Sequence, residues 1–289
     1  MNLRLYVLLI TVLFSSVVMS QRKRALMIGI SCYDTALTGY QWNNINGVED
    51  VNLISPILKK QGFIVTTLLD EQATYDKIIS QLIQFTENTK KGEIVYLHFS
   101  THGQPVEDLS GDEDDGWDEA IVPIDAYKLY RKGVYEGKKH LIDDLLNKYI
   151  NKLREKIGRT GFLYVVIDAC HAGTSSRAND ETIRGTYVGF TYSNKVFKPS
   201  NTKKSHYIIG SSNKQSPVMF LEACRSDQVN MEIRVGEKRF GPLSYNIAQA
   251  LLAKPLSHNS EEFLNNIKTS ILNNGRWPNN QNMVIEKSF

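Results

Sequence analysis

Two short segments carry residues whose types and spacing allow nucleophilic chemistry. Thr101-His102-Gly103 closes the apolar run Glu93–Ser100, and Ala169-Cys170-His171-Ala172-Gly173 closes the run Phe162–Asp168. Cysteine attacks a carbonyl carbon as its thiolate, and a nearby imidazole can take the proton. Cys170 is therefore the candidate nucleophile and His102 the candidate base. Gly103 permits close backbone approach, and the amides of Gly103 and Cys170 are candidate donors to a developing oxyanion. Taken singly, a cysteine at a strand end is most often a small buried hydrophobe, and a histidine a satisfied polar residue. Two strand termini that each carry one, with glycines beside both, favour the joint chemical reading. His171 points away from Cys170 on a regular backbone and reads as structural, and His98 inside its strand reads as core. A zinc site built from Cys170, His171 and His102 lacks the usual ligand spacing and a fourth partner.

Strands alternating with helices must position these ends. Ala25–Ser31 is a continuous apolar run and reads as a buried strand. Val48–Lys60 is a helix stopped by Gly62, Gly62–Leu69 a strand, and Thr74 caps a second helix. Leu141–Ile157 reads as an amphipathic helix with Leu141, Leu145, Tyr149 and Leu153 on its stripe. Strands are expected at His206–Ser211, Val218–Ala223 and Met283–Lys287, and helices at Leu243–Ala253 and Glu261–Asn273. Strands apolar on both faces imply a largely parallel sheet covered on both sides, an α/β fold in three layers. If the strands ending at Ser100 and Asp168 are neighbours, His102 and Cys170 face each other about 5 Å apart at the carboxyl edge.

The 289-residue chain is 42% hydrophobic, enough for one full core. A net charge of +3 implies no strong field for nucleic acid. Met1–Ser20 is a short apolar segment ending in small residues and reads as a cleavable signal peptide, which makes the product exported, secreted or periplasmic. It is too short for a comfortable membrane span, and the alternative reading is an uncleaved N-terminal anchor. Three cysteines are too few for a disulfide scaffold; a Cys32–Cys224 pair would leave Cys170 as the odd thiol. The turn Gly29-Ile30-Ser31-Cys32-Tyr33 is no phosphate cradle, which argues against a nucleotide binder.

At Leu97-His98-Phe99-Ser100-Thr101-His102-Gly103 and Val166-Ile167-Asp168-Ala169-Cys170-His171-Ala172-Gly173 the sequence resembles the clan CD cysteine peptidases, the caspase-like peptidase C14 family. Within it, the chain is most similar to metacaspases and bacterial caspase-like proteins. Asp115–Asp125 is also family-like. The resemblance implies a caspase-like peptidase domain over residues 21–289. Animal caspases carry Gln-Ala-Cys at the nucleophile, whereas this chain carries Asp168-Ala169-Cys170. In metacaspases the matching aspartate lines the pocket for the residue before the cut bond, with a serine two before the histidine and an aspartate on the first helix. Those positions correspond to Asp168, Ser100 and Asp50. Carboxylates in a partly dry pocket attract a guanidinium or ammonium, so the expected substrates are proteins or peptides with Arg or Lys before the cut bond.

Asp112-Glu113-Asp114-Asp115 reads either as a solvated loop or as carboxylates for a hard cation. The resemblance implies a calcium activator held at Asp143 and Asp144, although Arg177 stands where the family has a further aspartate. The chemistry itself needs no cofactor. Thr174–Lys204 is a polar, basic loop in which such an enzyme could cut itself. Cys224 reads as a structural thiol. The sequence thus points to an exported, monomeric cysteine endopeptidase using a Cys170–His102 dyad and an acyl-enzyme. The rival reading is a catalytically silent binding protein on the same fold.

Overall fold

The computed structural model describes residues 22–33, 42–170, 182–186, 188–198 and 212–288. Met1–Ser20, His171, Arg177, the His206–Ser211 strand and much of the Thr174–Lys204 loop lie outside them.

Strands β1 (Lys23–Gly29), β2 (Phe63–Leu69), β3 (Ile94–Ser100), β7 (Phe162–Asp168), β8 (Val218–Glu222) and β11 (Val284–Ser288) form one sheet, in the order β11-β8-β7-β3-β1-β2. All pairings are parallel except β11 with β8. Every residue of β3 and β7 is buried, as their unbroken apolar runs require. Side-chain alternation sorts the core into two layers. Leu26, Ile28, Val95, Leu97, Val165 and Ile167 pack under helices α2 (Tyr75–Asn88) and α3 (Asp143–Ile157). Ala25, Met27, Tyr96, Tyr164 and Val166 pack under α1 (Gly47–Lys60), α4 (Pro242–Ala253) and α5 (Ser260–Asn274). At roughly 25 cal/mol per Å² of apolar surface, these two layers supply most of the drive to fold. Thr74 Oγ1 caps α2 by accepting from Lys77 N at 3.4 Å.

Three features depart from the sequence reading. The chain after His102 is not a plain loop: β4 (His102–Glu107), β5 (Trp117–Val122) and β6 (Leu141–Ile142) form a small antiparallel sheet. Pro105 and mixed polarity hide β4 from a periodicity search. The expected helix over Leu141–Ile157 begins instead at Asp143, because Leu141 and Ile142 pair with Ile121 and Ala120. Its buried stripe is Leu146, Ile150, Leu153 and Ile157, with Leu145 and Tyr149 only half-buried. A hairpin of β9 (Ile233–Val235) and β10 (Lys238–Phe240) also escaped the sequence reading. The register that matters for function is Gly29 beside Ser100 beside Asp168, all at the carboxyl edge.

Candidate active site

Ser100 and Asp168 are paired residues at the ends of β3 and β7, so His102 and Cys170 each follow two residues later. His102 is held from three sides. Its backbone N–H donates to the Tyr33 hydroxyl at 2.9 Å, and that hydroxyl donates to the Val122 carbonyl at 2.9 Å. Trp42 stacks on the imidazole with centroids 4.9 Å apart, and Tyr33 lies tilted at 4.8 Å. Nε2 meets the Asn43 carbonyl at 2.7 Å. A carbonyl only accepts, so Nε2 carries the proton and Nδ1 is the basic nitrogen. Nδ1 is buried and has no hydrogen-bond partner. Burial pushes the imidazole down to about 3, with Asn43 opposing and Lys128 and Arg184 adding to the shift, so His102 is neutral through the physiological range.

Cys170 is fully buried, and its thiol donates to the Gln228 carbonyl at 2.9 Å. Cys224 reaches the same carbonyl at 3.6 Å. Its hydrogen bond with Cys170, and then burial, push the Cys224 thiol well above its ordinary value. Cys224 is buried and Cys32 exposed, and both are free thiols, so no Cys32–Cys224 bridge is present.

Asp50, Ser100 and Asp168 converge on a pocket that already has an occupant, Arg184. Its Nη1 donates to Asp50 Oδ2 at 2.6 Å and to Ser100 Oγ at 2.7 Å, and lies 3.6 Å from Asp168 Oδ1. Its Nε and Nη2 reach Glu232 Oε1 at 3.1 and 2.9 Å. The guanidinium is fully buried. Burial opposes its charge, but Asp50, Asp168 and Glu232 together outweigh that and hold its pKa above the ordinary value. Burial pushes Asp50 up to about 7, against the pull of Arg184 and with help from Asp168. Asp168 is fixed by Asn230 Nδ2 at 2.7 Å, Ser244 N at 2.8 Å and Ser244 Oγ at 2.6 Å. Gly241 forms the wall: a β-carbon there would lie 2.1 Å from Asp168 Oδ2 and 2.6 Å from Arg184 Nη1. His98 is buried core, bonded to Tyr96 and Ser244, and burial pushes it down to about 4.

The backbone of Arg184 is held as tightly as its side chain. Its carbonyl oxygen accepts from Cys170 N at 2.9 Å and from Gly103 N at 3.2 Å. Its N–H donates to Asn230 O at 3.0 Å, and Glu232 N donates to Thr182 O at 2.9 Å, an antiparallel pairing of 182–184 with 230–232. On the other side, Phe190 N donates to Pro105 O and Glu107 N to Phe190 O, so residues around 190 lie along β4. Gly185 presses against Cys170, where a β-carbon would fall 2.2 Å from its carbonyl oxygen. Sequence reasoning named His102, Cys170, Asp50, Ser100 and Asp168, which the structure gathers at one edge of the sheet, but missed Arg184, Glu232, Asn230, Tyr33, Trp42 and the Asn43 carbonyl. The only advance signal for Arg184 was a basic residue in the loop after Cys170.

A second acidic region lies beside β5. Carboxylate oxygens of Asp108, Asp112 and Asp118 fall within 4.8 Å of one another. Asp118 is pushed up to about 7 by burial and by the charges of Asp108, Asp144, Asp112 and Glu113. Asp143 is pushed up to about 8 by burial and by Glu119 and Asp118, and its buried Oδ1 has no partner. Asp144 is half-buried at the start of the same helix.

A mostly parallel sheet of this order, with His102 and Cys170 at its carboxyl edge and helices on both faces, is consistent with a caspase-like fold. A family model described as metacaspase, peptidase C14 domain, matches residues 23–178, and the chain belongs to that family. It is 28% identical over 162 residues to metacaspase-1 of Pyricularia oryzae, covering 53% of this chain and 37% of that protein. It is 27% identical over 228 residues to metacaspase-1 of Plasmodium falciparum, covering 75% of this chain and 32% of that protein. The chain thus spans about a third of the length of these curated relatives. A crystal structure of a Geobacter sulfurreducens protein superposes with a TM-score of 0.62 at 21% identity, covering 92% of this chain and 93% of that one. Among the described residues, no helix is long and apolar enough to cross a membrane.

Proposed function

We propose that this chain is a cysteine endopeptidase that cuts after Arg or Lys, and that its own Arg184–Gly185 bond is one of its substrates. One observation carries the reading: Arg184 fills the acidic pocket while its carbonyl sits on the amides of Cys170 and Gly103. Those two amides are aimed where negative charge develops in acyl transfer. The antiparallel pairing of 182–184 holds the chain extended, as a peptide held by strand addition is. In the reaction, the Cys170 thiol leaves Gln228 and gives its proton to His102 Nδ1, and the thiolate attacks the Arg carbonyl carbon. His102 then protonates the leaving amine as the C–N bond breaks. Water, deprotonated by the same nitrogen, attacks the thioester and releases the new carboxylate and Cys170. Until the bond is cut, Thr182–Gly185 excludes other substrates from the cleft.

Calcium fits the region beside β5. Asp108, Asp112 and Asp118, with Asp143 and Asp144 behind them, are hard oxygen ligands, and the unpartnered buried Asp143 Oδ1 lacks a counter-charge. A bound cation would neutralise them and order the loop that ends in β5, which pairs with the His102 strand. The dyad itself needs no cofactor. The reading includes export through Met1–Ser20 and action as a monomer on protein substrates.

The full chain and Cys170→Ala should be compared on peptides with Arg, Lys or Asp before a reporter, with and without calcium. The expected result is turnover of the Arg and Lys peptides, a new N-terminus at Gly185, and loss of both in the variant. Turnover only after Asp, or of no peptide in any condition, overturns the proposal in favour of a silent binding protein.

A further inference from the structure

Asp50 and Asp168 account for a positive charge in the pocket, but not for which cation it prefers. Glu232 lies across the guanidinium from Asp50, in the segment that enters β9. The two ends of the fork have different partners. Nη1 goes to Asp50 and Ser100, whereas Nε and Nη2 both go to Glu232. Glu232 is itself held in place. Asn46 N donates to its Oε1 at 2.6 Å and Asn46 Nδ2 to its Oε2 at 2.5 Å. Its side chain is fully buried, so no water competes for the carboxylate. Asn46 directly precedes α1, the helix that carries Asp50, so both walls of the pocket are tied to one rigid element.

We infer that Glu232 makes the site select arginine over lysine, an inference that rests on the pocket receiving the residue before the cut bond. Guanidinium is a planar fork with five donors, able to bond two separated acceptor groups at once. An ammonium is a compact point charge. Seated against Asp50 and Ser100, it leaves Glu232 a buried carboxylate without a cation; seated against Glu232, it vacates Asp50. Sites discriminate strongly when the wrong ligand leaves a buried polar group unpaired. The chain's own occupant, Arg184, is the residue that satisfies both walls.

The test measures kcat/KM for otherwise identical Arg and Lys peptides with the full chain, Glu232→Gln and Glu232→Asp. The native chain should favour Arg by about tenfold or more. Glu232→Gln should bring that ratio near one, mainly by raising KM for Arg and leaving the Lys peptide within about threefold. Glu232→Asp, which keeps the charge, should restore part of the preference. An unchanged ratio, or an equal fall for both peptides, overturns the inference, as does a native chain that uses Lys equally well. A second readout needs no catalysis: NMR titration of Cys170→Ala/Arg184→Ala protein with acetyl-arginine amide and acetyl-lysine amide. Arg-selective binding that disappears in Glu232→Gln upholds the pocket assignment even where no peptide is cut, in which case the peptidase reading alone fails. Equal binding of the two amides overturns the inference.

Discussion

Two regions of this molecule concentrate carboxylates, and they have been resolved in opposite ways. In the cleft, Asp50, Asp168 and Glu232 surround the fully buried Arg184, and each carboxylate has fixed donors. Beside β5, Asp118 and Asp143 face other acids, are pushed up to about 7 and 8, and leave one buried oxygen unpartnered. Both arrangements put like charges together in partly dry surroundings, which is unfavourable without a counter-charge. The chain itself supplies the cation to the first region. The second has none among the described residues that does the same, and its oxygen ligands suit a divalent ion. On the proposed function, the first arrangement would be relieved by cutting the chain and the second by binding an ion.

Breaking the first region should have the largest effect. Asp168→Asn places an amide N–H against the donors of Asn230 and Ser244 and weakens the hold on Arg184. Turnover of Arg and Lys peptides should fall at least about a hundredfold, and on a Cys170→Ala background the change should cost about 3–5 kcal/mol in urea unfolding. Unchanged stability would mean that Arg184 does not sit in the pocket in solution.

The second region should respond to calcium and pH together. Asp118 and Asp143 have folded pKa values raised above the ordinary carboxylate value, so the folded state holds their protons more tightly than the unfolded state. Their contribution to stability is complete below about pH 4 and is lost as pH rises through about 7 and 8. In chelator, the melting temperature of Cys170→Ala should therefore fall between pH 5.5 and 8. Calcium should reverse the fall, by about 2.7 kcal/mol at a hundredfold excess over its dissociation constant. Asp143→Asn should flatten the pH response and weaken the calcium response. A melting temperature indifferent to calcium across this range removes the ion from the account.

The smallest effect tests the support of the base. Tyr33→Phe deletes a hydroxyl bridging the His102 backbone to Val122, worth about 1 kcal/mol, so kcat should fall a few-fold to tenfold with KM little changed. A change confined to KM would show that Tyr33 acts on substrate rather than on the imidazole.

Much of this architecture is legible in the sequence. Unbroken apolar runs ending in His102 and Cys170 announced parallel strands with chemistry at their carboxyl ends, because a strand buried on both faces has no room for polar residues until it leaves the sheet. Resemblance supplied Asp50, Ser100 and Asp168. The small sheet after His102 stayed hidden because short strands with Pro105 and exposed acids have no clean period. The helix at Asp143 was read two residues too early because Leu141 and Ile142 continue the apolar pattern across a change of element.

The sequence by itself determined the layers, the strand ends and the placing of His102 and Cys170 just beyond them, since burial periodicity and residue type are local properties. Only the tertiary structure decided which nitrogen of His102 carries the proton, because that depends on a carbonyl 59 residues away. Only it brought Arg184 from a loop into the pocket of Asp50, 134 residues distant, and set Glu232 against its other edge. Contacts between residues far apart in the chain are set by how the sheet stacks its helices and loops, and no window along the sequence contains them.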